Sequence, residues 1–551
     1  MDYQVLADLL FPHVTDTPEM LEERFPPRNA PEGAVITRMA PSPTGFVHLG
    51  NLVQGMISER MAHQSGGVLF LRVEDTDAKR EVPGAVEVLI DSLKHYNILF
   101  DEGATHDGDN GNYGPYRQRQ RAAIYHVYAK KLVSEGMAYP CFATEEELAA
   151  MREQQEANKE TTGYYGKYAI WRDRSIEDIR AQIEAGNPWV LRFRSTGSIE
   201  NQFKFDDLVK GKLTITENDV DHVLLKSDGI PTYHFAHVVD DTLMGTTHVI
   251  RGDEWLSSYP VHEQLFAAAG FKLPGFIHIA PIMKLDGDSK RKLSKRKDPE
   301  AAVSYYHQEG YCPDSVLEYL MTIANSSYEE WRLAHPQAPT TDYKLKLDKM
   351  PAAGALFDMD KLASVSKDVV AGKTQEECFE EIKGWAARYC PELSEFIAQR
   401  PETFMSTIAL WKYSGKKVRK DIAKWSDLMT LFGYMYQIPY TPEEYEFDEK
   451  FTAEMVTEFL NAYMPAYNPD LDGSAWFSHV GEVAATLGYC ANMKEYKQDP
   501  TAWKGSIADA CGIIRVAVTG KKNSPDLHTI LSILGKEEVL RRMQACLDSL
   551  K

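Results

Sequence analysis

The stretch AVITRMAPSPTGFVHLGNLVQGMISERMAHQS, residues 34–65, sets the order of elements as strand, loop and helix. A short apolar run at its start predicts a strand. Pro41 and Pro43 then keep the chain out of the helical region, so the strand must leave through an extended loop. From Leu49 apolar side chains recur at helical spacing until a Gly-Gly pair ends the helix.

Three polar or small residues lie at the predicted start of this helix: His48, Gly50 and Asn51. Free backbone N–H groups and the helix dipole favour an anion at such a position. The alternative is an ordinary strand–helix unit that happens to begin its helix with a histidine. This segment alone leaves both interpretations open, because loose phosphate-loop patterns are common.

Length and composition indicate a multidomain globular protein. The chain has 551 residues, 43% of them hydrophobic and 26% charged. Its seven cysteines are scattered and form no C-x-x-C pair, which favours reduced thiols in the cytoplasm. We see no export signal and no apolar run long enough to cross a bilayer. The net charge of −20 argues against a nucleic-acid partner, although a local basic face is compatible with it.

A second apolar run, residues 67–73, predicts a strand buried on both faces and ends in Glu74-Asp75-Thr76-Asp77. Ligands of open α/β sheets sit at the carboxyl ends of the strands, so these acidic groups are placed to contact a substrate. The alternative is that Asp75 and Asp77 cap the next helix.

The pattern of apolar and charged residues divides the rest of the chain into regions. Residues 119–219 mix helical and strand-like runs and predict a domain inserted into the α/β unit, which resumes at residue 220. The unit closes with the basic run KLDGDSKRKLSKRKD, residues 284–298, which on its own is typical of a solvated loop. From about residue 374 helices dominate.

His48-Leu49-Gly50-Asn51 opens the α/β unit and Lys292-Leu293-Ser294-Lys295-Arg296 closes it. The pair, in this order, resembles the two hallmarks of class I aminoacyl-tRNA synthetases. Further segments resemble the bacterial-type glutamyl-tRNA synthetases: RMAPSPTGFVHLGN, LRVEDTD, GPYRQ, LLKSDGIPTYHFAHVVDD, HVIRGDEW, KLSKRK and VAVTGKKNSPDLHTILSILGKEEVLRRM.

The resemblance implies an α/β Rossmann-type catalytic domain with an inserted α+β acceptor-binding domain, followed by all-α anticodon-binding domains. The expected boundaries are an N-terminal extension (1–33), the first catalytic half (34–118), the inserted tRNA acceptor-binding domain (119–219), the second catalytic half with the KLSKR loop (220–297), a stem-contact domain (298–373) and an α-helical anticodon-binding region (374–551).

The resemblance also implies the reaction. Members of this family use ATP to ligate L-glutamate to the 3′ end of tRNA(Glu) through a glutamyl-adenylate, releasing AMP and pyrophosphate. The implied catalytic residues are His48, Lys292 and Lys295. ATP would be bound by His48, Gly50, Asn51, Glu254, Trp255, Lys292, Ser294 and Lys295, with Mg²⁺ held mainly by ATP oxygens. For Trp255 a core role is the alternative.

A site selective for glutamate needs fixed arginine forks for its second carboxylate. Family resemblance assigns Arg38, Arg251 and Tyr233 to that carboxylate and Glu74 to the α-ammonium group. The full implied glutamate set is Arg38, Ala40, Ser42, Glu74, Tyr233, His237 and Arg251. Ser42 and Thr44 could equally serve only to structure the loop.

Two positions depart from the family pattern. Asn51 replaces the second histidine of the first hallmark, and His237 stands where some members have asparagine. Only Cys141 lies in the inserted region, so we predict no structural zinc. A monomer is typical of the family.

Other functions remain open. The enzyme could also glutamylate tRNA(Gln), and a glutaminyl-tRNA synthetase is disfavoured by Arg251 and by the Ala-Pro-Ser-Pro-Thr-Gly opening. A truncated paralogue that charges a modified tRNA base lacks the helical C-terminal region present here. A non-catalytic tRNA-binding relative would be expected to lose His48 or the two lysines. A nucleotidylyltransferase does not account for the inserted domain.

Overall fold

The computed structural model of the protein describes residues 2–43, 45, 47–77, 79, 81–294, 296–413 and 417–551. Thr44 and Lys295, named above, lie outside these residues. The chain divides into two compact units, one formed by residues 1–304 and 320–358, the other by residues 305–319 and 359–551.

The strands of the described residues are short, and they all lie in the first unit. In chain order they are β1 (Ile36–Met39), β2 (Val68–Leu71), β3 (Glu102–Ala104), β4 (Asp109–Asn110), β5 (Ala138–Cys141), β6 (Val190–Phe193), β7 (Gln202–Asp207), β8 (Gly211–Thr216), β9 (Val223–Leu225), β10 (His248–Gly252), β11 (Gly275–Ile279), β12 (Ile282–Asp286), β13 (Ser289–Lys292) and β14 (Ala355–Leu356).

The helices up to residue 334 are α1 (Tyr3–Leu10), α2 (Pro18–Arg24), α3 (Leu49–Gln64), α4 (Ala85–His95), α5 (Ala122–Ser134), α6 (Glu145–Ala157), α7 (Ile176–Glu184), α8 (Tyr233–Leu243), α9 (Tyr259–Ala269), α10 (Val303–Glu309), α11 (Pro313–Ala324) and α12 (Tyr328–Ala334). The later helices are α13 (Met359–Gly372), α14 (Gln375–Tyr389), α15 (Pro391–Gln399), α16 (Pro401–Tyr413), α17 (Asp427–Tyr436), α18 (Ala453–Ala466), α19 (Gly473–Thr486), α20 (Met493–Gln498), α21 (Ile507–Thr519) and α22 (Leu527–Ser549).

The parallel sheet places β1 next to strands from both halves of the α/β unit. β1, β2 and β3 run parallel with β4 antiparallel at the edge, and β10 pairs in parallel with β11. The Thr247 amide donates to the Ile36 carbonyl at 2.9 Å, which brings β10 alongside β1. The sheet therefore reverses its strand order at β1, the place where such sheets bind ligands.

The inserted region contributes a separate antiparallel sheet. β5, β6 and β9 form this sheet, and β7 with β8 forms a hairpin. The sequence predicts β9 within the second α/β half, but β9 pairs with β6 instead. Its three apolar residues are compatible with either sheet, and only long-range pairing decides between them.

The basic run at residues 284–298 is not a simple loop. The sequence predicts one strand over residues 277–283 followed by a mobile loop, whereas β12 and β13 form an antiparallel hairpin around Gly287. Arg291 donates to Asp286 at 2.7 Å across this hairpin. Cross-strand pairing of opposite charges explains how so basic a segment forms a strand.

The N-terminal segment is part of the first unit. α1 and α2 pack against α5. Arg28 donates to both carboxylate oxygens of Glu102 at 2.9 and 3.0 Å, and its guanidinium lies 4.0 Å from the centre of the Tyr113 ring. A half-buried bidentate pair of this kind fixes the segment against β3.

The second unit has a helical hydrophobic core built from α13–α19, α21 and α22 together with Cys312. The buried Lys412 ammonium donates to the Val370 and Ala371 carbonyls at 2.7 and 2.9 Å, which stabilises the end of α13. α22 is kinked at Gly535, whose φ of +79° suits only glycine without strain. Within the described ranges, no helix has the length and apolar character needed to cross a membrane.

A histidine on α3 gives the fold a pH-dependent contact. His63 lies between Glu59 and Asp101, at 2.7 and 3.0 Å, and these carboxylates raise the pKa of His63 to about 9. Because the folded pKa exceeds that of the unfolded chain, the contribution is complete below about pH 6.5 and is lost as pH rises through about 9.

We therefore expect His63→Gln to lower the melting temperature at pH 6 and to have little effect at pH 9.5. The side chain is 37% exposed, so solvent screening limits the effect to about 1 kcal/mol. The measurement is the melting temperature of both proteins across this pH range, and a difference that grows with pH would contradict the assignment.

Candidate active site

A cavity of about 550 Å³ lies at the carboxyl ends of β1 and β10. It gathers residues that are far apart in the chain because the two central strands end side by side. The predicted site residues that line it are Arg38, Ala40, Ser42, His48, Gly50, Asn51, Glu74, Tyr233, Arg251, Glu254, Trp255 and Lys292.

The start of α3 forms one wall of this cavity. The Asn51 amide oxygen accepts a hydrogen bond from the backbone N–H of the N-cap residue His48 at 3.1 Å, as in the return half of a capping box. A Cβ atom at Gly50 would lie 2.9 Å from the His48 ring, so glycine lets the imidazole lie over the first turn. The departure at Asn51 thus has a structural role besides any contact with a ligand.

The β12–β13 hairpin contributes Ile282 and Lys292 to the cavity lining. Lys292 lies at the end of β13, and its ammonium is 3.4 Å from Glu254, with both side chains more than half exposed. Ser294 is not among the lining residues; its backbone N–H donates to Asp298 at 2.8 Å. Arg291 holds the same carboxylate by two bonds of 2.6 and 2.8 Å, which anchors the hairpin.

Beneath the cavity lies a buried network of charges. Asp241 accepts from Arg38 at 3.1 Å and from Arg72 at 2.6 Å, while Arg72 also donates to Glu74 at 3.2 Å. The two arginines hold the pKa of Asp241 well below its usual range against the effect of burial. Arg38 therefore reaches the cavity with its charge already paired.

Arg251 has a different environment, although it is only 3% exposed. Its Nε donates to His278 Nε2 at 2.9 Å, and its Nη1 donates to His262 Nδ1 at 3.0 Å. The neutral Tyr233 side chain also interacts with this guanidinium, whereas Arg251 Nη2 is left without a hydrogen bond among the described residues. The guanidinium is thus held by neutral acceptors, and one of its nitrogens is available to a ligand.

Glu74 also lines the cavity and is 7% exposed. Burial raises the pKa of Glu74 to about 7, even though Arg72 and Arg38 act to lower it. Its protonation therefore changes within the physiological range, which is unusual for a carboxyl group.

Aromatic rings complete the pocket. The Tyr233 and Trp255 ring centres are 4.5 Å apart, and both rings line the cavity. His237 does not line it; it is fully buried behind Tyr233, with the two rings stacked at 5.6 Å. Burial lowers the pKa of His237 to about 4, so it is neutral at pH 7. Direct contact between His237 and a ligand remains a prediction, and the buried position of the His237 ring does not favour it.

Several residues of the site carry no signal in a single sequence. Gln54 and Thr76 line the cavity, and His262 and His278 hold Arg251. Nothing in the sequence distinguishes these residues from other polar residues, because their contacts form only in the folded chain. Asp75, for which the sequence left two roles open, fills neither: it is not in the cavity lining, and its carboxylate accepts from the Arg119 backbone N–H at 2.8 Å, whereas the next helix, α4, begins after Gly84 without a side-chain cap.

Comparison with known proteins supports one family over nearly the whole chain. The family described as "tRNA synthetases class I (E and Q), catalytic domain" matches residues 34–364, and "Anticodon binding domain" matches residues 505–547. A relative from Clostridium perfringens named "Glutamate--tRNA ligase" is 46% identical over 547 residues, covering 98% of this chain and all of the relative. A relative of the same name from Sorangium cellulosum is 41% identical and covers 96% of this chain and 97% of its own length.

A solved structure agrees with these relatives. The glutamate tRNA ligase from Elizabethkingia meningosepticum, in complex with its amino acid, has a TM-score of 0.75 and 26% identity to this chain. It covers 94% of this chain and all of its own, so the likeness includes both compact units. The predicted fold class and family are confirmed: this chain belongs to the glutamate–tRNA ligases, within the class I tRNA synthetases.

Proposed function

We propose that this protein ligates L-glutamate to the 3′ end of tRNA(Glu) at the expense of ATP. The observation that carries the proposal is Arg251, a buried cation without a direct carboxylate partner, in the same cavity as the start of α3 and Lys292. A cation of this kind suits a substrate with a second carboxylate, and the start of α3 together with Lys292 suits phosphates.

In the first step the α-carboxylate of glutamate attacks the α-phosphorus of ATP. A new oxygen–phosphorus bond forms, the bond to the β-phosphate breaks, and pyrophosphate leaves. His48, the first turn of α3 and the two hallmark lysines, Lys292 and Lys295, would stabilise the negative charge that develops. In the second step a hydroxyl of the terminal ribose of tRNA attacks the glutamyl carbonyl, and AMP leaves.

Mg²⁺ would enter with ATP and supply charge neutralisation on its phosphate oxygens. This suits the donor set, since among residues described by the structure no group of three or more His, Cys, Asp or Glu side chains could hold a metal by itself.

The inserted region provides an approach for the tRNA end. A second cavity, of about 540 Å³, is lined by Tyr164, Arg192, His222 and His234 and shares Tyr233 with the first. Aromatic and cationic side chains are the usual contacts of unpaired nucleotides. We propose that the acceptor end reaches the glutamyl group from this side and that the enzyme acts as a cytoplasmic monomer.

The test is charging of tRNA(Glu) and tRNA(Gln) transcripts by the purified full chain with labelled glutamate, ATP and Mg²⁺. We expect glutamate on tRNA(Glu). Charging of tRNA(Gln) as well would identify a non-discriminating enzyme, and no charging by folded protein would overturn the proposal.

Lys292→Ala should slow charging about tenfold to a hundredfold, because one charge-assisted contact to the leaving pyrophosphate is lost. Lys290→Ala, on the same hairpin but outside the cavity lining, is the matched control. Equal rates for the two variants would remove Lys292 from the reaction. The measurement is single-turnover charging at saturating glutamate.

The pKa of Glu74, raised to about 7, predicts a pH-dependent KM for glutamate. Only the carboxylate form of Glu74 attracts the α-ammonium group of glutamate. As pH falls below about 7, KM should therefore rise, approaching tenfold per pH unit. Above about pH 7, KM should level off. Glu74→Gln should have a high KM with no such dependence. A wild-type KM that is flat from pH 6 to 8.5 would contradict the role of Glu74.

A further inference from the structure

Arg251 is held by two histidines whose hydrogen-bonding roles are fixed by geometry. A guanidinium can only donate, so His278 Nε2 and His262 Nδ1 must both be unprotonated acceptors. Each ring must then carry its proton on the other nitrogen. Both imidazoles are therefore neutral when they hold Arg251.

Each histidine is oriented by a further acceptor behind it. His278 Nδ1 donates to Asp207 at 2.7 Å, and the same carboxylate oxygen accepts the His278 backbone N–H at 3.0 Å. His262 Nε2 donates to His234 Nδ1 at 2.9 Å. His262 and His278 are both fully buried, so neither ring can exchange these partners for water.

Burial supports the same protonation states. It lowers the pKa of His278, although the Asp207 carboxylate acts in the opposite direction, and it lowers the pKa of His262 well below its usual range. At neutral pH neither ring competes with Arg251 as a cation.

The neighbouring arginines show the contrast. Arg38 and Arg72 both contact the Asp241 carboxylate, whereas both acceptors of Arg251 are uncharged. A buried cation without a direct counter-charge gains most from a ligand that supplies one. A neutral amide in the same place would leave the charge uncompensated, and that penalty discriminates glutamate from glutamine.

We propose that His262 and His278 are positioning residues that make Arg251 selective for a carboxylate. They fix the guanidinium through two neutral nitrogens and leave its charge and its Nη2 atom to the substrate. This inference rests on the proposed function and adds residues that determine its specificity.

The first test removes the acceptors and then restores them. His262→Phe and His278→Phe should raise KM for glutamate about tenfold to a hundredfold while kcat changes less than about threefold, because the contact is remote from the reacting carboxylate. His262→Asn and His278→Gln each return an acceptor near the lost nitrogen and should recover most of the loss. His248→Phe, on the same strand as Arg251 but outside these contacts, should leave KM unchanged.

The second test changes the charge. His262→Asp places a carboxylate against Arg251, and we expect the ratio of kcat/KM for glutamate over glutamine to fall at least about tenfold. Far-UV circular dichroism and melting curves establish folding of every variant. If His262→Phe and His278→Phe fail to fold, the His262→Asn, His278→Gln and His262→Asp variants still test whether the two histidines set the selectivity of Arg251.

Unchanged KM in the folded Phe variants, or an unchanged glutamate-to-glutamine ratio in His262→Asp, would overturn the inference. Wild-type protein that does not charge tRNA with glutamate would overturn the proposed function instead. The two failures are therefore distinguishable in the same set of assays.

Discussion

Replacing Arg251 with alanine should lower kcat/KM for glutamate by about 30- to 5,000-fold, equivalent to about 2–5 kcal/mol. The side chain is 3% exposed, and its Nη2 atom forms no hydrogen bond with the described residues, so the contact proposed for glutamate would form in a water-poor site. The loss should appear mainly in KM, because the side-chain carboxylate of glutamate lies away from the reacting centre.

The measurement is steady-state charging of tRNA over a range of glutamate concentrations. Arg180→Ala, which removes an exposed arginine on α7, is the matched control and should behave as wild type. Kinetics of Arg251→Ala close to those of the control would remove Arg251 from the glutamate pocket.

Asp241→Asn should destabilise the first unit by about 3–5 kcal/mol, because it leaves two buried arginines without their shared carboxylate. Asp241 accepts from Arg38 and Arg72 and is 1% exposed. Because its pKa is well below the usual range, its contribution is present above about pH 4 and is lost as pH falls through the folded-state pKa.

Urea unfolding at pH 7, followed by circular dichroism and intrinsic fluorescence, measures this effect. Asp228→Asn, in the exposed turn after β9, is the matched control and should change the midpoint little. An Asp241→Asn midpoint equal to that of the control would show that the buried network contributes nothing net to stability.

The local parts of the fold could be predicted from the sequence. The apolar run of β1, its prolines and the helical spacing from Leu49 are all short-range signals, and the structure confirms that order of elements. The C-terminal helices were predicted for the same reason, since apolar periodicity and capping residues act within one turn. The pairing of the first hallmark with KLSKR predicted that His48 and Lys292 belong to one site, and both line the same cavity.

Features that depend on distant partners could not be predicted. The hairpin of β12 and β13 forms although its charge is typical of a loop, because Arg291 pairs with Asp286 and Asp298. The contact of Arg28 with Glu102 joins residues 74 positions apart. His262 and His278 give no sign in the sequence that they hold Arg251.

A direct comparison of glutamate with glutamine decides whether an uncompensated Arg251 makes the cavity select a carboxylate. The measurement is charging of tRNA(Glu) by the wild-type chain with each amino acid supplied separately at equal concentration. We expect ready charging with glutamate and a kcat/KM for glutamine lower by at least about a hundredfold. Charging with glutamine at a comparable kcat/KM would contradict it.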